Sequence, residues 1–152
     1  MSTDLTTLRF EPFTENHLEA VLKIEARTHG APWSEASFRN EIDSPQSIFI
    51  VAILGGEVVG YGGTWILVDE SHITNVVVNE DLRGQGIGRR LMKEILKLSK
   101  ERGAVCSTLE VRAGNAAAIH LYESMGYVNS GVRKGYYPNN REDAIVMWLH
   151  DM

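Results

Sequence analysis

Alternating and helical spacing succeed one another along the chain in an order that predicts its elements. Residues 6–11 alternate up to Pro12, which predicts a short first strand. Thr14 then suits an N-cap, and Leu18, Val21, Leu22, Ile24 and Glu25 fall on or near one face of a helix running to about Arg27. His29-Gly30-Ala31-Pro32 breaks that helix, and Ser34 opens a second through about Ile42. Two stretches rich in β-branched and aromatic residues, Ile48 to Leu54 and Glu57 to Val68, flank Gly55-Gly56 and predict a hairpin. Asp69-Glu70-Ser71 makes a second turn into a strand ending at Val78, so an antiparallel meander is expected. Gly60, Gly62 and Gly63 weaken its middle strand, which suits a bulge or a close approach to a ligand, with accommodation of twist the plainer reading.

After Val78 the period changes. Ile87, Leu91 and Ile95 stand four apart with Leu98 following, which predicts a helix from about Gly86 to Arg102, stopped by Gly103. Val105 to Val111 is again β-like, and the helical crossover predicts that it runs parallel to the Val76 strand. A helix from Gly114 or Asn115 to about Ser124, a turn at Met125-Gly126-Tyr127 leading into a strand, and a last strand over about 143–149 complete the chain. The order predicts an α/β fold with a mixed central sheet of about seven strands flanked by about four helices. With no repeat and no linker, one domain over residues 1–152 is expected.

Composition narrows the classes of function. The chain is 43% hydrophobic and 23% charged, with no apolar run near the ~18 residues of a membrane span. A formal charge of -5 argues against general nucleic-acid binding, which rests on a basic face, and is compatible with a cationic partner. Met1-Ser2-Thr3-Asp4 has the look of no secretory signal, and a single cysteine suits a reducing compartment, so a cytoplasmic protein is expected, as a monomer. Cys106 lies in an apolar segment with no base near it in sequence and reads as a buried structural thiol. His17, His29, His72, His120 and His150 have no metal-ligand spacing, so no metal site is expected.

Candidate chemistry centres on the passage from Val76-Val77-Val78 into Arg83-Gly84-Gln85-Gly86-Ile87-Gly88-Arg89-Arg90. Glycines at a helix N-terminus let main-chain N–H groups approach a phosphate, and Arg83, Arg89 and Arg90 add positive charge. No Lys-Ser or Lys-Thr pair follows, which excludes a P-loop, and a dinucleotide fingerprint would need a glycine where Arg89 stands. The plain alternative is a turn that only joins strand to helix. Glu110 stands in an apolar β run, where a carboxylate is costly without a partner or a task. Tyr122 follows Asn115 by seven residues, two helical turns along one face. A surface glutamate and a core tyrosine are the plain alternatives there, and Trp33 can equally be a packing residue beside a helix cap or part of a substrate lip.

Arg83-x-x-Gly86-x-Gly88 resembles the Arg/Gln-x-x-Gly-x-Gly/Ala signature of the Gcn5-related N-acetyltransferase (GNAT) family. The segment from Asn115 to Tyr127 is similar to that family's Asn-x-x-Ala-x-x-Leu-Tyr-x-x-x-Gly-Phe. Ala31-Pro32-Trp33-Ser34, Leu109-Glu110-Val111-Arg112, Tyr136-Tyr137-Pro138 and Arg141-Glu142-Asp143-Ala144 resemble its RimI branch, the bacterial ribosomal-protein-alanine N-acetyltransferases. The resemblance implies a GNAT fold and acetyl-CoA as cosubstrate. It implies main-chain contacts from Val76, Val77 and Val78 to the acetyl-pantetheine arm, Arg83, Gly84, Gln85, Gly86, Ile87, Gly88 and Arg89 around the pyrophosphate, and Asn115 near the pantetheine. Glu110 matches the general base and Tyr122 the general acid. A peptide is expected between the Trp33 loop and Tyr136-Tyr137, and the branch acts on the N-terminal alanine of small-subunit ribosomal protein eighteen. Direct transfer in a ternary complex follows from the lack of activation at Cys106. An acidic rim of Glu35, Glu41, Glu142 or Asp143 would suit a basic acceptor, and Gly30 departs from the bulkier residue expected there. The alternatives are acetylation of a small amine or a lysine side chain, and a regulatory CoA-binding domain without catalysis.

Overall fold

The computed structural model describes residues 4–28 and 32–152, so Met1 to Thr3, His29 and the departure at Gly30 with the adjoining Ala31 lie outside the described residues. Seven strands, β1 (Arg9–Pro12), β2 (Ser47–Leu54), β3 (Glu57–Leu67), β4 (Glu70–Val78), β5 (Cys106–Arg112), β6 (Val128–Arg133) and β7 (Ala144–Leu149), form one mixed sheet in the order β1-β2-β3-β4-β5-β7-β6. Among the described residues its only parallel pair is β4 with β5, as the helical crossover requires. Four α-helices accompany it among the described residues: α1 (Leu18–Thr28), α2 (Glu35–Asp43), α3 (Ile87–Glu101) and α4 (Ala116–Ser124).

Side-chain alternation sorts the helices onto two faces. Phe49, Val51, Ile53, Tyr61 and Val77 pack against Leu18, Val21, Ile24 and Phe38 of α1 and α2. The intervening residues Ile48, Ile50 and Ala52 meet Ile87, Leu91 and Ile95 of α3 on the other face, joined by Val59, which a bulge between the pairs Ala52↔Gly60 and Ile53↔Val58 turns there. Leu109, Val111 and Met147 extend that second face toward Met92 and Tyr122. Each such fully buried aliphatic or aromatic side chain contributes about 1.5–3 kcal/mol, so the sheet is fixed from both sides near β2 and β3.

Three expectations shift in detail. Pro12 is the last residue of β1 rather than a stop beyond it; β1 is an edge strand, where a missing N–H costs no ladder bond, and it begins three residues later than expected, after a turn closed by Leu8 N–H on Leu5 O. The β3–β4 turn is Val68-Asp69 rather than Asp69-Glu70-Ser71, because Leu67 already pairs with Glu70; Val68 takes the left-handed φ of 59° and is 95% exposed. The glycines of β3 answer to close approach of neighbouring chain: a Cβ on Gly63 would run into the Phe49 ring and the Ile48 carbonyl, and one on Gly60 would lie 2.8 Å from the Val77 carbonyl. No helix among the described residues is long and apolar enough to cross a membrane.

Candidate active site

β4 and β5 pair only over Glu70↔Cys106, Ser71↔Ser107 and His72↔Thr108, although β4 continues to Val78 and β5 to Arg112. The cause lies on the other edge of β4. Thr64 pairs with Ile73 and Gly63 with Asn75, so Thr74 is an extra residue, a bulge that turns β4 away from β5. Beyond the bulge the facing edges of the two strands carry main-chain groups without β-partners, and Thr74 Oγ1 and Asn75 Nδ2 are buried without a hydrogen bond among the described residues. Such an opening suits a ligand that brings its own donors and acceptors.

The same strand delivers the glycine turn to the mouth of this opening. Gly84 and Gly86 have φ of +79° and +89°, and a Cβ on either would meet nothing within 4 Å, so glycine is needed there for conformation rather than for space. Gly86 is the N-cap of α3, whose first turn holds no acidic residue, leaving its unpaired N–H groups and dipole free to favour an anion. The arginines are less concentrated than their spacing suggests. Arg83 is exposed with no ion pair among the described residues, Arg89 donates to Ser124 Oγ on α4 at 2.7 Å, and Arg90 reaches the Leu5 carbonyl at 3.3 Å.

Glu110 and Tyr122 approach the opening from opposite faces. Leu109 and Val111 point to the α3–α4 side, so Glu110 between them points to the α1–α2 side, with one third of its side chain exposed and the Arg133 guanidinium 3.5 Å away. Tyr122 is held in the core of the α3–α4 face, its ring 5.9 Å from that of Tyr127, and its hydroxyl has no hydrogen bond among the described residues. Burial, and to a smaller extent the nearby Tyr137, pushes its pKa up to about 12. Tyr137 itself is raised by burial against the opposing pull of Arg112, with smaller effects from Tyr136, Glu110 and Glu142. One phenol of the β6–β7 loop therefore lies within electrostatic reach of both Glu110 and Tyr122.

The model of the acetyltransferase (GNAT) family matches residues 18–127, which spans the glycine turn, Glu110 and Tyr122. The chain belongs to the GNAT family. It is 38% identical over 134 residues to the [ribosomal protein bS18]-alanine N-acetyltransferase of Escherichia coli K12, covering 87% of this chain and 90% of that protein. The N-alpha-acetyltransferase RimI of Mycobacterium tuberculosis is 34% identical over 153 residues, covering 97% of this chain and 95% of its own. The crystal structure of the ribosomal-protein-S18-alanine N-acetyltransferase from Escherichia coli superposes with a TM-score of 0.87 at 34% identity, over 95% of both chains. GNAT acetyltransferases draw on acetyl-CoA, which accords with the opened strand edge and the anion-favouring helix start.

The remaining expected residues of this GNAT chain fall into two groups. Asn115 caps α4, its Oδ1 accepting from Ala118 N–H at 3.2 Å, and Tyr136 stands 45% exposed at right angles to Tyr137, 5.1 Å between centroids. Trp33, by contrast, turns its ring inward onto Phe38 and Phe49, so it lines the loop from beneath while also serving the core. The carboxylates suggested for an acidic rim have internal partners. Glu41 accepts from Trp65 Nε1 with both oxygens, Glu142 from Gly114 N–H and Arg112, Asp143 from Gly135 N–H and Lys134, and Glu35 from Arg39. Cys106 stands at the start of β5, in its paired part, and is half-buried rather than buried as expected; its thiol is pushed up by desolvation and by the carboxylates of Glu70 and Asp69. Two contributors went unread in the sequence, the Arg112 clamp on the β6–β7 loop and the buried Glu25. The second had a signal, a glutamate on the apolar face of α1.

Proposed function

We propose that the chain acetylates the N-terminal alanine of ribosomal protein bS18, drawing the acetyl group from acetyl-CoA, in the cytoplasm, as one N-acetyltransferase domain over residues 1–152. What supports the reading is the parting of β4 from β5 beyond His72 and Thr108, with Tyr122 packed on the Leu109 and Val111 face of β5 and Glu110 on the other. The relative named as a [ribosomal protein bS18]-alanine N-acetyltransferase supports this acceptor over a small amine or a lysine, and the one named as an N-alpha-acetyltransferase supports a protein N-terminus.

Acetyl-CoA supplies an activated thioester. Val76 and Val78 offer main-chain N–H groups along the opened edge to hold the pantetheine and polarise the thioester carbonyl, while Val77 between them turns its own toward Tyr61 of β3; Asn115 stands beside the arm at the start of α4, and residues 83–89 hold the pyrophosphate. An α-amino group, with a pKa of about 7.7–8.0, must lose a proton before it attacks, and Glu110 takes that proton directly or through water. The new C–N bond forms as the C–S bond breaks, and the leaving sulfur receives the Tyr122 phenolic proton. Burial keeps that phenol neutral across the working range, which is the state a general acid needs. Trp33, Tyr136 and Tyr137 border the acceptor's path on the Glu110 face.

The test is CoA release with purified protein, acetyl-CoA and peptides beginning with alanine, against the same peptides blocked at the N-terminus and a set of small amines. Turnover confined to the free N-terminus is expected. Turnover confined to small amines, or tight acetyl-CoA binding without turnover, would overturn the acceptor.

A further inference from the structure

The apolar face of α1 contains one charged residue that the proposed chemistry does not use. Glu25 is 1% exposed and stands on the buried face of α1 with Val21 and Ile24, against Tyr61. A carboxylate in such surroundings is costly unless hydrogen-bonded. Tyr61 donates its hydroxyl to Glu25 Oε1 at 2.5 Å, and the Trp33 main-chain N–H donates to Oε2 at 2.8 Å. Tyr61 is anchored in β3 opposite Val77 of β4, so a continuous chain of contacts runs from the strand that borders the opening, through Tyr61 and Glu25, to the loop before α2.

Stability alone does not call for this arrangement. Replacing a buried polar cluster with apolar side chains of similar volume is often neutral or stabilising. The contact to Trp33 instead fixes main chain, one residue before Ser34 caps α2 by accepting from Ser37 N–H. Both bonds hold a short stretch whose register decides how the loop borders the cleft.

We propose that Glu25 is a positioning residue for the acceptor: its buried carboxylate pins the Trp33 N–H and so sets the wall of the channel on the α1–α2 side, an inference that rests on the acceptor path proposed above. Glu25 touches neither acetyl group nor amine. Its loss therefore weakens acceptor binding and leaves the acetyl-CoA side of the reaction intact.

Two variants separate this role from a structural one. Glu25→Met keeps the volume and loses both acceptors, whereas Glu25→Gln keeps one carbonyl oxygen for the Trp33 N–H. Glu25→Met is expected to raise KM for an alanine-starting peptide by roughly tenfold or more, with kcat and the KM for acetyl-CoA within about twofold, because the wall it sets touches the bound peptide and not the reacting atoms. Hydrogen exchange at the Trp33 amide should accelerate in the same variant, and Glu25→Gln should restore most of both effects. A Glu25→Met protein whose Trp33 amide stays protected overturns the proposal, as does one that fails to fold or loses kcat and both KM values in parallel with its Tm. If the unmodified protein does not turn over alanine-starting peptides, the acceptor role falls with the functional reading, while the exchange comparison still decides whether Glu25 pins Trp33.

Discussion

Arg112 holds its guanidinium 3.9 Å above the ring of Tyr137 while donating to Asn139, Asn140 and Glu142 of the same loop. The last residue of β5 thus fastens the β6–β7 loop to the strand that carries Glu110, and one side chain couples the proposed base to the acceptor wall.

Arg112→Ala should free that loop. The peptide KM is expected to rise about tenfold while the acetyl-CoA KM stays near its original value, and Arg112→Lys should restore little, because an ammonium lacks the planar fork that stacks and bonds at once. Steady-state kinetics with each substrate varied in turn gives the answer.

Tyr122→Phe removes a hydroxyl with no protein partner among the described residues, so stability should move by no more than about 0.5 kcal/mol. The kcat should nevertheless fall by about 10² to 10⁴, the range expected for losing a positioned acid. A thermal melt beside the rate measurement checks both halves; a variant with near-full kcat would leave the leaving sulfur without its assigned donor.

The pH dependence follows from the sign of the tyrosine shifts. Tyr122, with a pKa pushed up to about 12, stays neutral through the alkaline range, so kcat/KM should rise once as the acceptor amine deprotonates and then stay level to about pH 10. Tyr61 and Tyr127 are also raised, burial being the first cause in each. A folded-state pKa above the unfolded value gives stability that is complete below about pH 10 and is lost as pH rises toward the folded-state values, so Tm should begin to fall above pH 10. A Tm that holds level to pH 12 would contradict the shifts.

Much of this architecture was legible in the sequence because its signals are local. Gly55-Gly56 marks the hairpin, the four-residue spacing of Ile87, Leu91 and Ile95 marks α3, and Leu109 and Val111 place Glu110 on the opposite face from the core they enter. What went unread depends on partners far away in the chain. Ile73-Thr74-Asn75 looks like continuous strand, and only the register against Gly63 and Thr64 shows that Thr74 is one residue too many. The insertion of β7 between β5 and β6 and the inward turn of the Trp33 ring are likewise tertiary choices to which residue spacing is blind.

Gly86→Ala tests the helix start. A Cβ at a left-handed φ costs about 1–2 kcal/mol, so the turn should relax and the acetyl-CoA KM should rise by roughly tenfold while the peptide KM changes little. The thermal shift produced by adding acetyl-CoA should shrink accordingly.

Deleting Thr74 tests the origin of the opening. Without the extra residue, β4 keeps its pairing with β3 through a regular register and loses the bend that carries it away from β5. The edge groups beyond His72 and Thr108 can then pair with each other, as parallel neighbours do elsewhere in a sheet, and no strand edge is left for the pantetheine. The deleted chain should melt at or above the original Tm, because it gains ladder bonds and no longer buries the unpartnered Thr74 Oγ1. Acetyl-CoA should no longer shift that Tm, although the glycine turn and α3 are untouched. A folded deletion variant that still binds acetyl-CoA would show that the bulge is not what opens the sheet.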